Sequence, residues 1–178
     1  MLIGHRKFLI FLFLSNCIFH NITASESVAT KKIVCYIGTD CSKRLGRGSF
    51  HINDLNADLC THVILGFARL KDERTIDLLA SWIEFMKDTN ITSVKKKFPG
   101  VIFMVAVGGW YNGVQPFIKF TDHKENQKIF AQTALDFVKK HNFDGLELCW
   151  LYPTKRGGYI SDRKTFVELL KASNKIYI

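Results

Sequence analysis

The chain lacks most of what a metal centre or a nucleic-acid surface requires. No two cysteines stand in Cys-x-x-Cys spacing, and no histidine lies three or four residues from another. A tetrahedral zinc site therefore has no local ligand pair to start from, and neither metal nor cofactor is expected. Basic residues are scattered rather than interleaved with aromatics, which argues against nucleic acid despite a formal charge of +9. Their one cluster, Lys95-Lys96-Lys97, reads as the solvated end of a helix, with weak attraction to anionic surfaces left open. Internal repeats and low-complexity tracts are also missing. Beyond the amino terminus no apolar run reaches the ~20 residues that a membrane-spanning helix needs.

What is present begins with that amino terminus. Arg6 and Lys7 precede an almost wholly apolar run from Phe8 to Phe19, and Ala24 supplies a small residue for cleavage. Residues 1–24 thus read as a secretory signal peptide, the run being short for an anchor. Residues 25–178 would form a soluble, secreted, extracellular domain, its charge lowered to +7 by loss of Arg6 and Lys7. Cys17 would leave with the leader, and Cys35, Cys41, Cys60 and Cys149 would meet an oxidising compartment that permits disulfides. Of two glycosylation sequons, Asn21-Ile-Thr lies in or beside the leader, so Asn90-Ile-Thr is the candidate modification site.

Continuous apolar runs alternate with amphipathic stretches along the rest of the chain. Ile33–Ile37, Thr61–Ala68, Val101–Val107 and Leu146–Leu151 read as strands. Helices are expected over Asn53–Leu59, capped at Asn53, and over Ile76–Lys87. A longer one opens at Asp122, with Glu125 as capping-box partner, and runs to about His141; another spans Asp162 to about Lys175. Apolar strands alternating with helices indicate a parallel sheet of the α/β class, without choosing between barrel and open sheet.

The most informative stretch is Asp144-Gly-Leu-Glu-Leu-Cys-Trp-Leu-Tyr-Pro153. Period two places Glu147, Cys149 and Leu151 on one face of a strand and Trp150 on the other. This run resembles the signature of family 18 glycoside hydrolases, the chitinases: Asp-Gly-x-Asp-x-Asp-x-Glu-Tyr-Pro. Ile33–Ile37 with Leu59-Cys-Thr-His62, Gly66-Phe67-Ala68 and Val107-Gly-Gly-Trp110 are similar to further family motifs in the same order.

The resemblance implies a (β/α)8, or TIM, barrel, and the chain holds four strand–helix units, the amino-terminal half of one. In the family the last glutamate of the signature protonates the glycosidic oxygen. The aspartate two places earlier orients the substrate acetamide, which acts as nucleophile. Here those positions are Leu151 and Cys149, and Asp144 and Glu147 remain as supporting carboxylates. A leucine donates no proton, so the resemblance implies a degenerate catalytic site and no hydrolase. Structural roles are the plainer reading of Asp144 and Glu147, and an inert buried thiol that of Cys149. Trp110 would line a groove for chitin or chito-oligosaccharide, and Tyr36 and Phe67 would stand near its central sugar, unless the three are packing residues. Further family positions would fall on later strands, beyond Ile178. By the same resemblance Cys35 pairs with Cys60, and the Gly66–Phe67 and Leu151–Tyr152 bonds are cis.

The expected function is that of an inactive secreted chitinase-like lectin binding N-acetylglucosamine polymers. An extracellular signalling or effector role through a protein partner stays open, as does a non-functional truncated product. The open edges of a half barrel would favour self-association.

Overall fold

The computed structural model describes residues 31–71 and 74–174. The expected leader, Cys17 and the Asn21 sequon lie outside the described residues. In chain order the elements are β1 (Val34–Gly38), β2 (His62–Leu70), β3 (Ile76–Leu78), α1 (Ala80–Met86), α2 (Ile91–Lys97), β4 (Ile102–Gly108), α3 (Gln115–Thr121), α4 (Lys124–Lys140), β5 (Gly145–Cys149) and α5 (Asp162–Asn174). Four strands run parallel in the order β1-β2-β4-β5, and β3 pairs antiparallel with the far end of β2. This is part of a (β/α)8 barrel wall, with β1 and β5 at its edges.

One face of the sheet packs against the helices. Val63, Leu65, Phe103, Val105 and Val107 are all 0% exposed there, as expected where period-two side chains meet a helical layer. Phe117 of α3 stacks on Trp150 at 5.1 Å, and Phe166 of α5 meets the same indole edge-on. Trp150 is thus a core residue, as the alternation implied. Val105 lies on the helix side, between the buried Phe103 and Val107, and its register partner Leu146 packs against the same core.

Several helical expectations are corrected. Over Asn53–Leu59 there is a single 3-10 turn, Ile52–Asp54, held by His51 N–H donating to Asp54 Oδ2 at 2.8 Å. Asn56 Oδ1 then accepts from Asp58 N–H at 3.1 Å, a local bond that competes with helix continuation. Ile76–Leu78 is strand rather than helix, since pairing of Leu70 with Ile76 and Ala68 with Leu78 overrides the helical spacing. Helix α4 is capped at His123 without a side-chain bond. Asp122 closes α3 and accepts from the Asn126 amide, so the capping box with Glu125 does not form. Helix α3 itself gave no clear signal in sequence, but Pro116 in its first turn suits a helix start. The lysine cluster does end a helix, α2, where cations favour the C-terminal dipole.

Candidate functional site

The carboxyl ends of the parallel strands converge on a cavity of about 570 Å³, in the size range of small-ligand sites. The strands and the turns after them deliver residues to it: Thr39 and Asp40 after β1, Phe67 within β2, Trp110 after β4 and Leu151 after β5. This end of a parallel α/β wall is where chemistry is ordinarily placed.

Two glycines make the β4 turn. Gly108 and Gly109 have φ of 110° and 82°, in the region that side chains disfavour. A Cβ on Gly109 would also stand 2.8 Å from the Phe67 ring. The turn projects Trp110 outward, 54% exposed. Arg156, from the loop before α5, lays its guanidinium over the indole at 4.0 Å. Its Nη1 donates to Trp110 O and to Leu151 O, each at 3.0 Å. The arginine therefore ties the turn after β4 to the turn after β5, and it covers part of the indole. Asp162 steadies the Arg156 loop: buried at 4%, its Oδ2 accepts from Tyr159 N–H at 2.7 Å.

Below the cavity lies a second group, on the sheet face opposite the helices. Tyr36 on β1 reaches across β2 and β4 toward β5, where its hydroxyl faces the Glu147 carboxylate and the Cys149 thiol. Small residues make that reach possible. Gly66 and Ala106 occupy the intervening strands in register with Glu147, and a Cβ on Gly66 would sit 3.3 Å from the Tyr36 ring. Desolvation at the sheet surface, then the Glu147 carboxylate, push the Tyr36 hydroxyl far above its ordinary value. Burial, reinforced by Glu147 and offset in part by the Tyr36 contact, raises the Cys149 thiol as well. A thiol held protonated is a poor nucleophile and a poor metal ligand. Glu147 Oε2 is buried with no hydrogen-bond partner.

The predicted residues are thus sorted by position. Glu147, Cys149 and Tyr36 meet, and Phe67 stands 5.8 Å from Tyr36, ring to ring. Trp110, Phe67 and Leu151 share the cavity. Asp144 belongs to neither group. It lies at the opposite end of β5, where Oδ2 accepts from Phe103 N–H at 2.8 Å and Oδ1 from Lys95 Nζ at 2.6 Å. Cys35 and Cys60 form the disulfide, Cys41 and Cys149 are free, and both implied cis bonds are present. Asn90 is exposed at the start of α2. Sequence reading missed Arg156, which sits in a Gly-rich loop with no periodicity to mark it, and Lys43, Arg69 and Asn112 on the cavity wall. Among the described residues Asp40 is the carboxylate that lines the cavity. Among the described residues no cluster of three His, Cys, Asp or Glu side chains could hold a metal ion.

Comparison with known proteins gives this geometry its relatives. The profile described as Glycosyl hydrolases family 18 matches residues 32–176. An endochitinase of Manduca sexta is 33% identical over 161 residues, covering 88% of this chain and 29% of its own length. Among solved structures, catalytic domain 2 of Ostrinia furnacalis Group II chitinase superposes with a TM-score of 0.73 at 30% identity, over 82% of this chain and 40% of that one. That structure is a glutamate-to-leucine mutant in complex with penta-N-acetylchitooctaose. Human YKL-39, described as a pseudo-chitinase with retained chitooligosaccharide binding, superposes with a TM-score of 0.69 at 26% identity, over 81% of this chain and 38% of that one. The chain spans about 30% of the length of the Manduca relative. With the strand order, the site-bearing turns and the profile match over residues 32–176 in agreement, the chain belongs to glycosyl hydrolase family 18.

Proposed function

We propose that this chain is a secreted, catalytically silent chitinase-like protein that binds chitin or N-acetylglucosamine oligomers through the cavity at Trp110. One observation carries the reading: Leu151 and Cys149 stand where the family signature has its acid and its acetamide-orienting carboxylate. Glycosidic cleavage needs a proton delivered to the leaving oxygen, and loss of that general acid lowers the rate by ~10²–10⁴. Binding has no such requirement, because stacking on an exposed indole depends on the apolar face of the sugar. The Ostrinia mutant with leucine for glutamate was captured with an oligosaccharide, and YKL-39 is described as retaining binding without catalysis. Both support separating the two properties.

The test is a pull-down on chitin beads beside a chromogenic chito-oligosaccharide assay. Retention of the native chain, its loss in Trp110→Ala, and hydrolysis no faster than a protein-free blank are expected. Substantial turnover would refute catalytic silence, and retention unchanged in Trp110→Ala would remove the cavity from the reading.

A second element of the proposal is self-association. Among the described residues β1 and β5 each have one parallel neighbour, and on the groove face Val34, Tyr36 and Ile102 are 53%, 46% and 40% exposed. An apolar strand with unpaired backbone groups favours pairing with another chain. Sedimentation at micromolar concentration should show a dimer or larger species; a sharp monomeric boundary would remove this part of the proposal.

A further inference from the structure

A second cavity, of about 510 Å³, lies on the outer, helical side of the wall. It is bounded by α1, the start of α2 and the end of α4, with Leu79, Ile83, Met86, Asn90 and His141 on its walls. Its apolar side is conspicuous, because Ile83 is 81% exposed. Single exposed apolar side chains are ordinary. This one forms part of a concave surface, and the chain carries a built-in means of covering it.

Asn90, on the rim, opens the sequon Asn90-Ile91-Thr92. It is also the N-cap of α2: its Oδ1 accepts from Ser93 N–H at 3.0 Å and from Ser93 Oγ at 3.3 Å. The cap uses the amide oxygen and leaves the amide nitrogen, the atom that carries an N-glycan, outside it. The same bonds fix the plane of the amide, so anything attached to the nitrogen departs from a fixed point on the rim. Asn142 Nδ2 donates to Thr92 Oγ1 at 2.8 Å, holding the two sides of this rim together. Lys140 and His141 add polar groups beside the apolar wall. A pyranose offers what such a wall takes, namely a C–H face for Ile83 and Met86 and hydroxyls along its edge for polar neighbours.

We propose that Asn90 carries an N-linked glycan whose first N-acetylglucosamine is seated in this outer cavity and covers Ile83. The proposal rests on the secretion put forward above. In the modification the Asn90 nitrogen bonds to C1 of the first sugar of a lipid-diphosphate-linked oligosaccharide. The C1–oxygen bond to the diphosphate breaks, and the amide proton is released as the lipid diphosphate departs. Transfer precedes folding, so the Thr92 bond to Asn142 does not obstruct it.

The experiment uses the full chain with Asn21→Gln, to leave one sequon, expressed in a secretory host restricted to high-mannose glycans. Peptide mass mapping of the secreted protein should find Asn90 occupied. Two trimmed forms are then compared. Endoglycosidase H leaves a single N-acetylglucosamine, whereas peptide N-glycosidase F removes it and converts Asn90 to Asp, an equally good helix cap. Removing that last sugar should lower Tm by roughly 2–4 °C and increase binding of an apolar dye, while the single-sugar form stays near the untrimmed Tm. Asn90→Asp expressed directly should match the fully trimmed form. Equal Tm and dye binding in the two trimmed forms would overturn the seat, and a secreted chain with unmodified Asn90 would overturn the modification. A chain retained in the cytosol with Asn90 unmodified would overturn secretion and this proposal together, while leaving sugar binding at Trp110 to its own test.

Discussion

The two faces of the sheet come from the same strands and have opposite fates. Adjacent residues show it: Phe103 is 0% exposed against the helices, and Ile102, one position earlier, is 40% exposed on the groove side. The helix side is filled by aromatics and branched residues in close packing. The groove side holds Gly66, Ala106 and a tyrosine laid over them. Stability therefore resides on one face and the residues of functional interest on the other.

Substitution at the adjacent pair should break this comparison most visibly. Phe103→Ala should destabilise the chain by about 3–5 kcal/mol in urea unfolding, through lost burial and the cavity left behind. Ile102→Ala should cost only about 1 kcal/mol. If the two cost the same, the groove face is covered in solution, and self-association reaches the strand. The disulfide comes next. Cys35 and Cys60 close a loop with a sequence separation of 25, so double replacement by Ser should lower stability by roughly 3–4 kcal/mol in the chain-entropy model.

Asp144 tests whether a family carboxylate can be wholly structural. Asp144→Ala removes the acceptor of Phe103 N–H and should cost about 1–3 kcal/mol. Lys95→Ala should cost about 0.2–1 kcal/mol, because the ion pair is partly solvated and screened by salt. Equal, salt-sensitive losses would mean that the ion pair and not the backbone bond matters. The smallest effect concerns Cys149. Its raised pKa means that the folded state favours the neutral thiol. That contribution is complete below the unfolded-state value near pH ~8.5 and is lost as pH rises through the folded one. Alkylation of Cys149 at pH 8 should accordingly be slower in the native protein than in urea; faster native alkylation would contradict the half-buried, acid-flanked setting.

Much of this architecture was legible because it depends on local periodicity. The four parallel strands follow from apolar runs such as Val101–Val107, and Trp150 could be assigned to the core by alternation alone. The ordered family motifs identified the barrel wall and the disulfide partners. Where reading failed, side chains or distant strands competed with the local pattern. Ile76–Leu78 has helical spacing yet pairs with β2, and Asn56 diverts a would-be helix into a turn.

Amino-acid order by itself determined which residues stand in the stretch 144–153, and that Leu151 carries no proton to donate. It also determined the two faces of each strand, since alternation is a property of the extended backbone. Tertiary structure alone decided the company these residues keep. Tyr36 meets Glu147 and Cys149 because strand order and register place Gly66 and Ala106 beneath its ring. Arg156 covers Trp110 because Asp162 and two carbonyl oxygens hold its loop there. The Arg156–Trp110 contact joins residues 46 apart, and periodicity along a chain carries no information about which of its turns will meet.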